Sequence, residues 1–214
     1  MIKIWGRKSS SNVQAVLWCL EILQLPYERL DAGFTYGVVD TPGYLELNPN
    51  GTVPTIVDDD LPALWESGAI LRHLASRYCE TELWPEDVAS RALVDQWAEW
   101  SKINIALAFT GPIFWKVVRT APSMQDPVAI AAALESLHVK LAIADRQLAN
   151  NEYLTGPHLT LADVQFGHVL YRYFDIEIQR QPLPNVERYY SLLKTRADYQ
   201  SSVMVSYEEL RVTD

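Results

Sequence analysis

Every segment of this chain that reads as a strand lies before residue 66, and from Val88 onward the apolar pattern is helical throughout. A chain divided in this way is constrained to an α/β unit followed by an all-α unit. Residues 1 to 5 alternate weakly, as a strand does. Ser9-Ser10-Ser11-Asn12 is a cluster of helix N-capping types. Val13, Val16, Leu17, Leu20 and Leu23 then recur at helical spacing, and Pro26 stops the helix. Tyr27 to Leu30 reads as a short strand and Asp31 to Asp40 as a loop containing Gly33 and Gly37. Pro42 opens a short helix through Leu47. The turn cluster Asn48-Pro49-Asn50-Gly51 precedes a strand at Thr55 to Val57. After a turn at 58–61 comes a strand at Ala63 to Trp65, then a helix with Ile70, Leu71 and Leu74 on one face.

The order is β-α-β-α-β-β-α, that of a thioredoxin-like domain, with one parallel crossover and one hairpin. There is no Cys-x-x-Cys, which argues against protein dithiol exchange. Thr81 to Glu86, with Trp84-Pro85, reads as a linker. Beyond it the spacing predicts a long helix over Val88 to Phe109, interrupted at Gly111-Pro112. Further helices are expected over Pro127 to Ala149, Leu161 to about Tyr173, and Asn185 to Arg196. The expected domains are therefore 1–80 and 87–214.

Composition narrows the partners. The 214 residues are 49% hydrophobic and 21% charged, which suits a packed core. A net charge of -9 argues against nucleic acid, whose phosphates call for a basic surface. No uninterrupted apolar run reaches the ~20 residues of a membrane span, and the N-terminus has no apolar signal region. The expectation is a soluble cytoplasmic protein with no membrane partner. Cys19 and Cys79 lie in apolar helical stretches and read as buried small hydrophobes. Two cysteines make neither a disulfide framework nor a zinc site, and no metal is expected.

Two segments carry chemistry. In Asn48-Pro49-Asn50-Gly51-Thr52-Val53-Pro54 a proline stands at the mouth of a strand, where it has no N–H to donate to a ladder. With a cis bond there, the preceding backbone N–H and C=O turn outward and can pair with an extended peptide. Glu66-Ser67 begins the helix after the hairpin, with Ser67 a reasonable N-cap. A helix start offers free N–H groups to a carboxylate. Beside it Glu66 suits an ammonium group, so the pair suits an α-amino acid head.

These segments, ten residues apart, resemble the glutathione transferase pattern NP-x-G-x-VP followed by ES-x-AI-x-x-YL. A third agrees: Tyr153-Leu154-Thr155-Gly156 and Leu159-Thr160-Leu161-Ala162-Asp163 resemble the family's C-terminal signature. There Thr160 is the expected N-cap and Asp163 its N3 partner. The chain is similar to cytosolic glutathione S-transferases of the bacterial, serine-type, theta- or nu-like kind. The resemblance implies a thioredoxin-like domain followed by an all-helical domain. It implies glutathione as co-substrate, a small hydrophobic or halogenated electrophile, and a homodimer serving detoxification. Val53, beside Thr52, would pair with the cysteinyl part of glutathione across the cis bond of Pro54. Glu66 and Ser67 would hold the γ-glutamyl end.

Glutathione must react as a thiolate, and a free thiol has a pKa near ~8.5. Lowering it by one to two units takes roughly 1.4–2.7 kcal/mol, within reach of a hydroxyl or amide donor at a helix start. Registering Ala15-Val16 on the theta-type pattern puts Ser10 at the catalytic serine. Bacterial nu-like enzymes use a threonine and an asparagine, and there Ser10 and Asn12 correspond. Ser9 and Ser11 remain candidates behind them. The family often has a cation before the VP of the loop; here it is Thr52. From Asp31 to Leu71 there is no Lys, Arg or His, so the glycyl carboxylate must look to Arg7, Lys8 or a partner subunit. Phe109, Phe114 and Trp115 are the candidates to line the electrophile pocket, and Trp97 and Trp100 read as core or interface. Alternative functions are a glutathione-dependent disulfide reductase or isomerase, or a non-catalytic binding module.

Overall fold

A computed structural model of the chain describes residues 1–59, 61–79 and 82–214. Asp60, inside the expected 58–61 turn, lies outside the described residues. So do Glu80 and Thr81, where the expected domain boundary and linker begin. The N-terminal half has the expected order: β1 (Ile2–Trp5), α1 (Ser11–Ile22), β2 (Tyr27–Leu30), α2 (Pro42–Leu47), β3 (Thr55–Val57), β4 (Leu64–Trp65) and α3 (Ser67–Tyr78). The sheet order is β2-β1-β3-β4. β1 runs parallel to β2, with Trp5 opposite Leu30, and antiparallel to β3, with Trp5 opposite Thr55. β3 and β4 form the hairpin.

Helix α1 is buried on nearly every side: Val13, Ala15, Val16, Leu17, Trp18, Cys19 and Leu20 are all in the core. Such a helix needs cover all round. α3 covers one side, and the helices at Leu161–Gly167 and Ala197–Ser202 of the helical half cover others. Trp18 meets Tyr199 edge-on at 4.8 Å and donates from Nε1 to Asp198 at 3.1 Å. The start of α1 therefore lies at the junction of the two halves. Burial pushes the Cys19 thiol far above its ordinary value, so it is the inert hydrophobe expected.

The helical half comprises α4 (Val88–Ser101), α5 (Leu107–Phe109), α6 (Lys116–Val118), α7 (Pro127–Leu148), α8 (Leu161–Gly167), α9 (Leu170–Asp175), α10 (Pro184–Lys194) and α11 (Ala197–Ser202). Gly111-Pro112 does not interrupt the first long helix, contrary to the sequence reading. The path continues from α4 to α6 through π-helical turns at Lys102–Ala106 and Thr110–Trp115. The wider turn accommodates a proline that lacks an N–H and crowds the carbonyl four residues back. The single helix expected from Leu161 to Tyr173 is two, divided at His168-Val169. α11 had no clear signal, because its six residues, ADYQSS, are mostly polar.

One helix departs from the expectation of no membrane-length segment. α7 has 22 residues and is apolar enough to cross a bilayer by length and composition. Leu134, Leu137, Leu141, Ala144 and Leu148 on it are buried, and it packs against α10 and the π-helical turns. The start of α8 is fixed by Asp163. This fully buried carboxylate accepts from the Thr160 N–H at 2.8 Å, the Leu154 N–H at 2.9 Å and the Tyr189 hydroxyl at 3.1 Å. Burial still raises its pKa to about 6.

Candidate functional site

The loop before β3 is held by side chains from its own neighbourhood. The Val53-Pro54 bond is cis. Asn48, 1% exposed, donates from Nδ2 to the Thr52 carbonyl at 2.9 Å and to Thr55 Oγ1 at 3.0 Å. Its Oδ1 accepts from the Asn50 N–H at 3.0 Å. The Tyr44 hydroxyl donates to the Thr52 carbonyl at 2.6 Å. The NPNG signature is thus a local scaffold that tethers Thr52 and orders the backbone around Val53.

Two helix starts face this loop's neighbourhood. Ser10 is the N-cap of α1 with extended backbone, yet its side chain makes no capping hydrogen bond. Its hydroxyl is left for another acceptor. At α3 the capping position belongs to Glu66, not to Ser67 as expected; Ser67 is the first helical residue. Glu66 has φ of 69°, a left-handed conformation uncommon for a glutamate and a mark of a constrained site. Its side chain does not cap the helix and is exposed.

The two helix starts are joined by a residue that the sequence reading missed. The Lys102 ammonium, from the first π-helical turn, donates to Asn12 Oδ1 at 2.7 Å and to Ser67 Oγ at 2.8 Å. Burial lowers its pKa, while Glu66 and Glu99 raise it. With Asn12 Oδ1 occupied by a cation, the group Asn12 has left to offer is its amide N–H2, a donor. With Ser67 Oγ accepting from the ammonium, its own hydroxyl hydrogen is free to donate. Behind Lys102 lies His168, fully buried and kept neutral, its pKa lowered to about 3 by burial and by the Lys102 charge. No motif marks Lys102, which lies 35 residues from Ser67 in sequence. The one local signal is a lone lysine ahead of the largely apolar helical run from Ile103 to Phe109.

The other serines face a different group. Ser9 donates its hydroxyl to Glu209 in the C-terminal tail, and the Tyr36 hydroxyl donates to the same carboxylate at 3.2 Å. The Ser9 carbonyl accepts from Arg172 Nη2 at 2.6 Å. Ser11 is buried in the first turn of α1. Arg7 and Arg119 lie over one ring, Phe34, at 5.4 and 4.9 Å. A Cβ on Gly33 would stand 3.2 Å from Arg7 Nη1 and 3.5 Å from Val53 Cγ1, so Arg7 runs close to the cis-proline loop.

The expected pocket aromatics separate. Phe109 and Phe114 are sealed in the helical core, against Tyr173 and Tyr207 respectively. Trp115 is 48% exposed, with Arg119 over its ring at 5.1 Å. Trp97 and Trp100 pack edge-to-face at 5.0 Å. A cleft lined by Ile130, Leu134, His138 and Arg180 opens on the helical half and includes none of the candidate residues.

Residues 9–77 match the family model of the glutathione S-transferase N-terminal domain, and residues 106–196 match that of the C-terminal domain. The chain is 36% identical to the Escherichia coli glutathione S-transferase GstB over 96% of its length and 99% of that protein's. It is 30% identical to glutathione S-transferase 3 of Zea mays, covering 94% of this chain and 93% of the maize protein. Among solved structures it is similar to the theta class glutathione S-transferase of Xanthomonas axonopodis pv. citri with glutathione bound. The TM-score is 0.90 and the identity 42%, covering 96% and 98% of the two chains. With the cis proline, the two helix starts and both domains matched, this chain belongs to the glutathione S-transferase family.

Proposed function

We propose that this transferase activates the glutathione thiol at the start of α1 for attack on a small electrophile. In this reading residues 1–80 form the glutathione-binding domain and 87–214 the helical domain. The tripeptide lies extended beside Val53, its cysteinyl N–H and C=O pairing with that residue's backbone next to Thr52 and Pro54. Its γ-glutamyl carboxylate meets the free N–H groups and the Ser67 hydroxyl at the start of α3, and its ammonium meets Glu66.

The sulfur then faces Ser10 and Asn12. The Ser10 hydroxyl and the Asn12 amide donate to the thiolate and lower its pKa. The thiolate attacks the electrophilic carbon. A C–S bond forms and the leaving group departs with its electron pair, as halide for a halogenated acceptor. Lys102 turns both Asn12 and Ser67 toward the ligand and adds a positive charge between the two ends of the tripeptide.

The observation that carries this reading is the Lys102 ammonium bonded to both Asn12 and Ser67, which ties the thiol end of the site to the γ-glutamyl end. Conjugation to a chloronitrobenzene, followed in wild type and Ser10→Ala, is the test. Full activity in the variant removes Ser10 from the mechanism. Running disulfide reduction and maleylacetone isomerisation alongside ranks the alternative chemistries. We also infer a cytoplasmic homodimer; exposed Trp65 and Leu93 supply apolar surface for such an interface. Sedimentation at two protein concentrations reads its mass.

A further inference from the structure

We propose that the electrophile accepted by this enzyme carries a carboxylate, held by Arg7 and Arg119 over the Phe34 ring with Arg172 behind them. The inference rests on the thiolate mechanism above and names the class of acceptor for that same site.

Three guanidinium groups converge there. Arg7 and Arg119 share the Phe34 ring, and Arg172 lies over Phe114 at 4.7 Å and Tyr207 at 5.7 Å. Arg172 is 2% exposed and its Nε has no partner, and the buried Nε of Arg7 has none either. Among the described residues, the side chains of Arg7 and Arg119 make no ion pair or hydrogen bond. Burial and the neighbouring Arg119 charge lower the proton affinity of Arg7, with Glu209 opposing. Burial and the Arg7 charge lower that of Arg172, to about 10.

Glu209 is the carboxylate whose charge acts on Arg7, and it accepts from the Ser9 and Tyr36 hydroxyls instead of pairing with an arginine. None of the three guanidinium groups pairs with it, in a chain whose net charge is -9. Arg172 is buried and Arg7 and Arg119 are half-buried; like charges so placed oppose folding unless an anion offsets them, and a guanidinium is shaped for a carboxylate.

The cluster adjoins the reaction centre, because Arg172 holds the carbonyl of Ser9, the residue before Ser10. Arg119 and Arg172 come from the helical half, whereas the groups assigned to direct contact with the tripeptide's backbone and γ-glutamyl end, Val53, Glu66 and Ser67, belong to the N-terminal half, with Lys102 bonded behind Ser67. This favours the acceptor over the glycyl carboxylate as the anion. Phe34, Tyr36 and Trp115 are 44%, 44% and 48% exposed around the arginines, flat surfaces suited to an aryl group. An aryl halide bearing a carboxylate fits: thiolate adds at the ring carbon, chloride leaves, and the carboxylate is unchanged.

The test compares a chlorodinitrobenzoate with its primary amide, using wild type, Arg119→Gln and Arg7→Gln. Loss of one charge-assisted contact should lower kcat/KM for the acid about tenfold in Arg119→Gln and leave the amide within about twofold. An acid-to-amide ratio unchanged in both variants overturns the proposal. So does a rise in the KM for glutathione shared by both acceptors, which would assign the arginines to the glycyl carboxylate. Calorimetry with unreactive dinitrobenzoate, in the presence of S-methylglutathione, gives a readout independent of turnover. Binding in wild type that weakens in Arg119→Gln supports the site even if no acceptor is conjugated, a result that would instead sink the thiolate mechanism. Absence of dinitrobenzoate binding in wild type overturns the anion site, whatever the activity.

Discussion

The cis-proline loop and the start of α1 are the two ends of the proposed site, and they are held in opposite ways. The loop is fixed by Tyr44, Asn48 and Asn50, all within eleven residues of the groups they bond. The start of α1 is fixed by Lys102, Arg172 and Glu209, from 90 to 200 residues away. The N-terminal half thus builds its cis-proline loop locally. The groups at the start of α1, the donors proposed for the sulfur, are positioned only once the helical half has docked. Variation in the helical half away from Lys102 can then retune thiol activation and acceptor choice while the loop around Val53 stays intact.

The largest expected effect lies at the long-range end. Ser10→Ala should lower kcat/KM roughly tenfold to a hundredfold and raise the pKa of bound glutathione by about one to two units. Thiolate absorbance against pH measures the shift, and an unchanged thiol pKa would leave the hydroxyl without a role. At the local end, Asn48→Ala should cost about 2 kcal/mol of stability, because a buried residue loses several hydrogen bonds at once. Urea unfolding reads this, and a loss as large in kcat as in stability would erase the contrast between the ends.

Lys102→Met sharpens the comparison from across the junction. It should raise the KM for glutathione and lower kcat together, giving about a tenfold fall in kcat/KM, because one ammonium serves both Ser67 and Asn12. A change in KM alone would confine Lys102 to the γ-glutamyl end.

The last effect concerns pH and leaves the chemistry of the site aside. His168 is neutral in the fold down to about pH 3, against an ordinary value of 6.5. Its unfolded form therefore binds the extra proton, and it withdraws stability as pH falls below 6.5. Asp163, raised to about 6 from 3.8, acts in the opposite sense and adds stability as pH falls from 6 toward 3.8. The two oppose across that window. His168→Asn should gain on wild type by about 1.4 kcal/mol per unit of falling pH between 6 and 4, as denaturant melts at each pH would show. Parallel curves for the two proteins would mean that His168 is not kept neutral.

The same division explains what was legible. β2, α2 and β3 fall where periodicity and punctuation put them, since proline, glycine and short apolar runs act over a few residues. Thr160 and Asp163 were readable as a cap for the same reason. Gly111-Pro112 misled because a proline stops an ordinary helix, and the sequence does not announce a π-helical turn that admits one. Phe109 and Phe114 read as pocket residues by their place beside that break, whereas packing turned both inward. Ser67 read as a cap by residue type, yet the backbone at Glu66 took that place.

By itself, then, the sequence determined the two-part architecture, the loop ahead of β3 with its cis proline, and Ser10 as the cap of α1, because each rests on local conformational preference. Tertiary structure alone decided that Lys102 joins the two helix starts, that three arginines gather beside Ser9, and which aromatic faces solvent. Those outcomes depend on side chains far apart in the chain meeting across a packed junction, and no spacing along a sequence encodes that meeting.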